Sequence, residues 1–404
     1  MSTPSTEVAL DCFTLAAGFH CSAAACGLKK NGALDLAMVW CDEPASAAGV
    51  FTTNRVQAAP VLLDRESLVA TSGRMRGVLA NAGCANAVTG ERGLVDARHM
   101  QAMAAAAIDA KPEEMLVLST GVIGVFLDME KVGNGVRALG TTEAKRAAGD
   151  CARAILTTDT RAKVASADVP GGARIAGFAK GAGMIHPNMA TMLSVITTDA
   201  MVEPERLERA LRVAVRESFN RISVDGDMST NDTVLLLASG ATDLPIDDAN
   251  EPAFTEALTQ VCGSLAKQIA RDGEGATRLV ELRITGAATE AQAHRVGDSI
   301  ACSPLVKTAI HGNDPNWGRV LAAAGYSGEA IDPERVRLWF GERDELQLLD
   351  RGLPLSFDKP TASKLLQCDP AVIHVELGLG SASAIVWTCD FSAEYVRINA
   401  DYTT

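Results

Sequence analysis

The chain has 404 residues, of which 47% are hydrophobic and 22% charged, and a net charge of −13. That length and balance exclude a disordered chain and one that needs disulfide staples, and at roughly 150 residues per domain they suggest two or three units. The acidic surplus repels phosphate, which argues against nucleic acid as a partner.

The charge is unevenly placed. Residues 1–190 carry 18 basic and 18 acidic groups, whereas residues 191–404 carry 19 and 32 and so hold the whole surplus. The N-terminal MSTPSTEVALDCF has neither a basic start nor an apolar signal core. No apolar run approaches the roughly 18 residues of a membrane span. Ten scattered cysteines without a CxxC pair read as reduced thiols, so a cytoplasmic protein with no membrane partner is expected.

Taken in order, residues 34–40 and 77–80 read as strands, and 94–110 as a helix rich in Ala and Met. Residues 115–118 form the next strand. A helix is expected from a cap at Thr141–Thr142 to about Leu156. Met192–Ile196 is an apolar run behind a loop broken by Gly and Pro. Glu205–Phe219 is amphipathic, with Leu207, Leu211 and Ala214 on one stripe. Strand 233–237 precedes a helix over Phe254–Arg271, with Gly273 as a natural cap. Strand-like runs follow at 279–284, 335–340 and 371–377. The alternation predicts a mixed α/β chain. Gly and Asn gather in loops at 81–90, 119–124, 180–193, 272–277 and 312–319, where backbone can approach a ligand closely.

Common catalytic signatures are absent: no GxGxxG, no GxxxxGK[ST], no HExxH and no GxSxG. The six histidines show no metal-ligand spacing, and Asp225 and Asp227 sit in a stretch without the Gly and Glu of a calcium loop, so no metal is expected. Cys84 has no local cation to activate it as a nucleophile. The informative stretch is KGAGMIHPNMATMLSVITTD, residues 180–199. There Thr191 opens an apolar run just after a turn. On local chemistry alone it is an ordinary strand-start threonine.

KGAGMIHPNMATML resembles the cleavage motif of the glutamate N-acetyltransferase (ornithine acetyltransferase) family. The likeness extends in order through GFHCSAAACGLKKNGALDLAMV, GVFTTNRVQAAP, NAGCANAVTG, LSTGVIG, ILTTDTRAK, FNRISVDGDMSTNDT, DGEGATRLVE, SPLVKTAIHGNDPNWGRVLAAAG and EYVRINADYTT. Together these blocks run from about residue 18 to the last. The resemblance implies self-cleavage between Ala190 and Thr191 into an α chain, 1–190, and a β chain, 191–404, associated as α2β2. It implies an α/β fold of mixed sheets with flanking helices, like that of the self-cleaving DmpA-type aminopeptidases.

It also implies a role for each matched residue. Thr191 would be the nucleophile, and its freed α-amine, with an ordinary pKa of about 7.7–8.0, the base. His186 then has no required part. Thr120 and Gly121 in STGVIG would form the oxyanion hole. Lys180 and Thr157, or its neighbour Thr158, would hold the substrate α-carboxylate. Glu274 would meet the ornithine ammonium, and Asn399 and Thr404 would complete the site. The implied reaction moves an acetyl group from N-acetylornithine to glutamate through acetyl-Thr191 in arginine biosynthesis. No cofactor is implied, although acetyl-CoA is a possible second donor. The alternatives are a related acetyltransferase of a secondary, clavulanate-like pathway, and a self-processing hydrolase with an N-terminal threonine.

Overall fold

A computed structural model describes residues 6, 8–139, 148–186 and 192–401. Two sheets organise them. The first contains β1 (His20–Ala24), β2 (Leu36–Phe51), β3 (Arg74–Cys84), β4 (Met115–Val122), β5 (Lys163–Val169), β6 (Ala173–Lys180), β7 (Leu193–Thr198) and β8 (Thr233–Ala238). Its order is β4-β3-β2-β8-β7-β6-β5, with β1 also paired to β2. The β3–β4 and β7–β8 pairs are parallel and the others antiparallel.

Both faces of this sheet are covered. Val234 and Leu236 of β8 join one core, with the helices Pro204–Arg216 and Glu251–Arg271, while Leu235 and Leu237 join another. At the β4 end, Met115 and Val117 meet the helices Ala59–Ala70, Gly90–Ala107 and Met129–Leu139. Burial on both faces explains why these strands are apolar runs rather than alternating ones.

The second sheet holds β9 (Leu279–Ala287), β10 (Arg337–Phe340), β11 (Leu346–Asp350), β12 (Leu353–Pro354), β13 (Ala371–Glu376) and β14 (Ala382–Cys389), in the order β12-β11-β10-β13-β9-β14. Local capping starts its helices. Thr289 accepts from the Gln292 amide, Ser303 from Val306, Asn316 from Arg319 and Asp358 from Thr361. Each side-chain oxygen satisfies an amide that the first helical turn leaves unpaired.

Several sequence expectations shift. The strand expected to stop at residue 40 continues to Phe51 through a register slip between Trp40 and Ala45. Pro44 lies inside that slip, where its missing N–H costs no ladder bond. The loops expected at 81–90 and 119–124 begin as strand, because Asn81–Cys84 pair with Ser119–Val122. Gly273 does not take a left-handed cap conformation. It is glycine for space: a Cβ there would sit 2.8 Å from Cys389 Sγ. The cap expected at Thr141–Thr142 lies outside the described residues, and helix Ala148–Ala154 is what is described of that element.

Candidate active site

A cleft of about 290 Å³ opens where the ends of β4 and β6 meet the segments around Asp225, Glu274 and the C-terminal helix Ala393–Asp401. Thr120, Gly121, Thr157, Lys180, Glu274 and Asn399 all line it, as does Thr158. These residues are up to 279 positions apart in sequence, from Thr120 to Asn399, yet line one cleft. Ala190, Thr191 and Thr404 lie outside the described residues. His186 and Cys84 do not line the cleft. The Cys84 thiol is pushed up by burial, the wrong direction for a nucleophile.

Lys180 ends β6 and is 3% exposed. Its Nζ donates to Thr157 Oγ1 at 2.8 Å and to Thr120 Oγ1 at 3.3 Å. Burial lowers its pKa, against the attraction of Asp159 3.9 Å away. Asp159 is itself enclosed. Burial alone would raise its pKa, but the charges of Lys163 and Lys180 together with the hydrogen bonds from Lys163 and the Gly181 amide hold it well below the usual carboxylate range. Its Oδ1 accepts from Lys163 Nζ and from the Gly181 amide, each at 2.6 Å. Lys163 Nζ also donates to Asp272 Oδ2 at 2.6 Å. Lys180, Asp159, Lys163 and Asp272 thus alternate in sign through the interior, each charge facing an opposite one, as buried charges must.

Across the cleft stands Glu274, 8% exposed, accepting from Asn399 Nδ2 at 2.8 Å. The Glu274 amide donates to Ala182 O at 2.8 Å, which fastens the DGEG turn to the KGAG segment. Gly183 makes this approach possible: a Cβ there would lie 2.5 Å from Glu274 Oε2. The C-terminal helix is tied to the same turn, with Ser392 Oγ donating to Gly275 O at 2.6 Å. Asp390 anchors the far end of the turn, accepting from the Thr277 amide and hydroxyl at 2.7 and 2.6 Å.

Gly121 has φ of +131°, and a Cβ on it would meet the Gly83 carbonyl carbon at 2.3 Å. No other residue fits that crossing of β3 and β4. The Asn231 side-chain amide donates to Ala85 O at 2.7 Å and Ser119 O at 2.8 Å, fixing both strand ends. Asp225 accepts from the amides of Met184 (2.6 Å) and Ile185 (2.9 Å), holding the segment that leads to residue 187; burial raises its pKa. Asp159, Lys163, Asp272, Asp225 and Asn231 carry no role in the sequence reading. They fall inside the blocks ILTTDTRAK, DGEGATRLVE and FNRISVDGDMSTNDT, but burial and pairing are invisible in one dimension.

The geometry can therefore do three things. It can place a buried cation against a carboxylate, a buried anion against an ammonium, and backbone and hydroxyl groups beside the bond between them. A family model described as the ArgJ family matches residues 20–404. The arginine biosynthesis bifunctional protein ArgJ of Symbiobacterium thermophilum is 48% identical over 399 residues, 97% of this chain and 98% of that one. A mitochondrial protein of that name from Schizosaccharomyces japonicus is 47% identical, covering 95% and 92%. Among solved structures, the crystal structure of ArgJ from Bacillus halodurans is 44% identical, with a TM-score of 0.51 over 52% of this chain and 100% of that chain. With identity close to half along nearly the full length of both chains, this chain belongs to the ArgJ family.

Proposed function

We propose that the chain is an acetyltransferase of arginine biosynthesis that moves an acetyl group from N-acetylornithine to glutamate through acetyl-Thr191. The observation that carries this reading is the pairing of two buried opposite charges, Lys180 and Glu274, on one cleft with Thr120 and Gly121. An amino acid with a free carboxylate and a side-chain ammonium matches that charge pattern. Lys180 takes the α-carboxylate that both substrates share, steadied by Thr157. Glu274, oriented by Asn399, takes the ornithine ammonium.

The Thr191 hydroxyl attacks the acetyl carbonyl and its own α-amine takes the proton. The resulting oxyanion is stabilised by Thr120 and Gly121. Thr120 Oγ1 already accepts from Lys180, which leaves its hydroxyl hydrogen available to donate. An oxyanion donor of this kind contributes about 3–4 kcal/mol. Ornithine leaves with that proton, and the glutamate amine then attacks the ester. Exposure of the α-amine requires cleavage at Ala190–Thr191, which yields chains 1–190 and 191–404, arranged as α2β2 in the cytoplasm. Among the described residues no helix is long and apolar enough to cross a membrane.

Purified protein with N-acetylornithine and glutamate is expected to form N-acetylglutamate, with acetyl-CoA as the second donor arm of the same assay. Thr191→Ala is expected to run as one uncut band and to be inactive. An active, uncut Thr191→Ala protein would remove both nucleophile and cut. Release of free acetate without glutamate dependence would make the protein a hydrolase instead.

A further inference from the structure

Outside the cleft, three side chains with ligand chemistry converge where the helix Glu290–Ala301 ends. Cys302 caps that helix, and Asp298 lies one turn earlier on the same face. His186 reaches them from the segment held by Asp225. Cys302 Sγ is 3.5 Å from His186 Nδ1 and 3.8 Å from Asp298 Oδ1, and those two are 3.9 Å apart. A tetrahedral Zn²⁺ bound at about 2.3 Å to sulfur and about 2.0–2.2 Å to nitrogen and oxygen separates its ligand atoms by about 3.4–3.6 Å. Each observed separation lies within about half an ångström of that figure, a gap that small side-chain rotations close.

We propose that His186, Asp298 and Cys302 form a three-ligand site for Zn²⁺, with a fourth position open to solvent. The donor set favours this class: thiolate and imidazole suit Zn²⁺, whereas Mg²⁺ and Ca²⁺ require oxygen cages. One carboxylate and one thiolate balance the two positive charges. His186 and Asp298 side chains are each 26% exposed, so an ion can enter. The backbone before His186 is already fixed, with the Ile185 amide on Asp225 at 2.9 Å and Ile185 O accepting from the Val224 amide at 2.8 Å. Among the described residues that line the cleft, none is one of these three ligands. On binding, the Cys302 thiol releases its proton to solvent and the sulfur lone pair forms the Zn–S bond. The sequence hides the site because its members stand at 186, 298 and 302, far from any finger-like spacing.

Chelator-treated full-length protein titrated with Co²⁺ as a spectroscopic substitute tests this. One equivalent is expected to produce a thiolate-to-cobalt charge-transfer band that Zn²⁺ displaces. Cys302→Ser should lose the band. Asp298→Asn should weaken binding by more than about tenfold, the loss that even an outer-shell partner produces. Zn²⁺ should also shield Cys302 of the unsubstituted protein from alkylation, read by peptide mass spectrometry, which needs no variant to fold. No band at one equivalent, a band that survives Cys302→Ser, or alkylation of Cys302 indifferent to Zn²⁺ would each overturn the site.

Discussion

Lys180 is a cation with almost no water around it, and that shapes how substrate binding depends on pH. Burial moves its pKa down from the ordinary 10.5, so it loses its proton earlier than an exposed lysine as pH rises. Carboxylate binding is present below that lowered pKa and is lost through it. The KM values for N-acetylornithine and glutamate should therefore climb together on the alkaline side, starting below the usual lysine range. Lys180→Met should abolish that limb and raise both KM values about 10- to 100-fold, the worth of one hydrogen bond to a charged group. A limb that persists in the variant would assign it to another group. Gly183 separates the two substrates. In Gly183→Ala the new methyl displaces the Glu274 carboxylate, so KM for N-acetylornithine should rise about tenfold, in line with ordinary overpacking costs. Glutamate, with no side-chain ammonium, should be less affected. Equal effects on both would place Glu274 elsewhere in the reaction. Of these residues, Lys180 and Glu274 were legible in the sequence through the blocks around them, whereas Gly183 shows its reason only once Glu274 is packed against it.

The segment from Thr157 to Lys163 works as an element because Asp159 lies between two ammoniums. Replacing it by Asn leaves Lys163 and Lys180 facing each other with one fewer counter-charge, which should cost about 3–5 kcal/mol. The sign of the pH effect follows from its depressed pKa. The stabilisation is present above the ordinary carboxylate value of about 3.9 and disappears as pH falls through the lowered folded value. The gap in melting temperature between Asp159→Asn and the unsubstituted protein should be wide at pH 7 and narrow only in strong acid. A gap independent of pH would mean that Asp159 acts through shape alone. Element reading from sequence succeeded where pattern and packing agree: the stripe Leu207, Leu211 and Ala214 is the buried face of Pro204–Arg216. It missed β5 and β6, which are rich in Ala and owe their conformation to pairing, β6 with β5 and β7 on its two sides and β5 at the sheet edge with β6 alone. Lys163 and Asp159 were unreadable for the same reason, since no periodicity marks a charge as buried.

At the scale of the molecule, the proposed cut does not fall between the two sheets. It lies between β6 and β7, antiparallel neighbours inside the first sheet. β7 and β8 from residues 191–404 stand between β2 and β6 from residues 1–190, joined by the β2–β8 and β6–β7 ladders. The cores mix both sides as well: Val164 and Phe178 pack with Val195 and Leu235. The uneven charge along the sequence, neutral before residue 191 and acidic after it, offers a competing account in which electrostatics holds the cut chains together. The two accounts separate on salt. At about 1 M the screening length falls to about 3 Å, which removes most attraction between exposed charges but leaves buried ladders and apolar contacts intact. The cut chains should therefore co-elute at 1 M NaCl as at low salt and separate only in denaturant, with loss of both together. Dissociation by salt alone, with each chain remaining soluble and folded, would show that charge and not the shared sheet joins them.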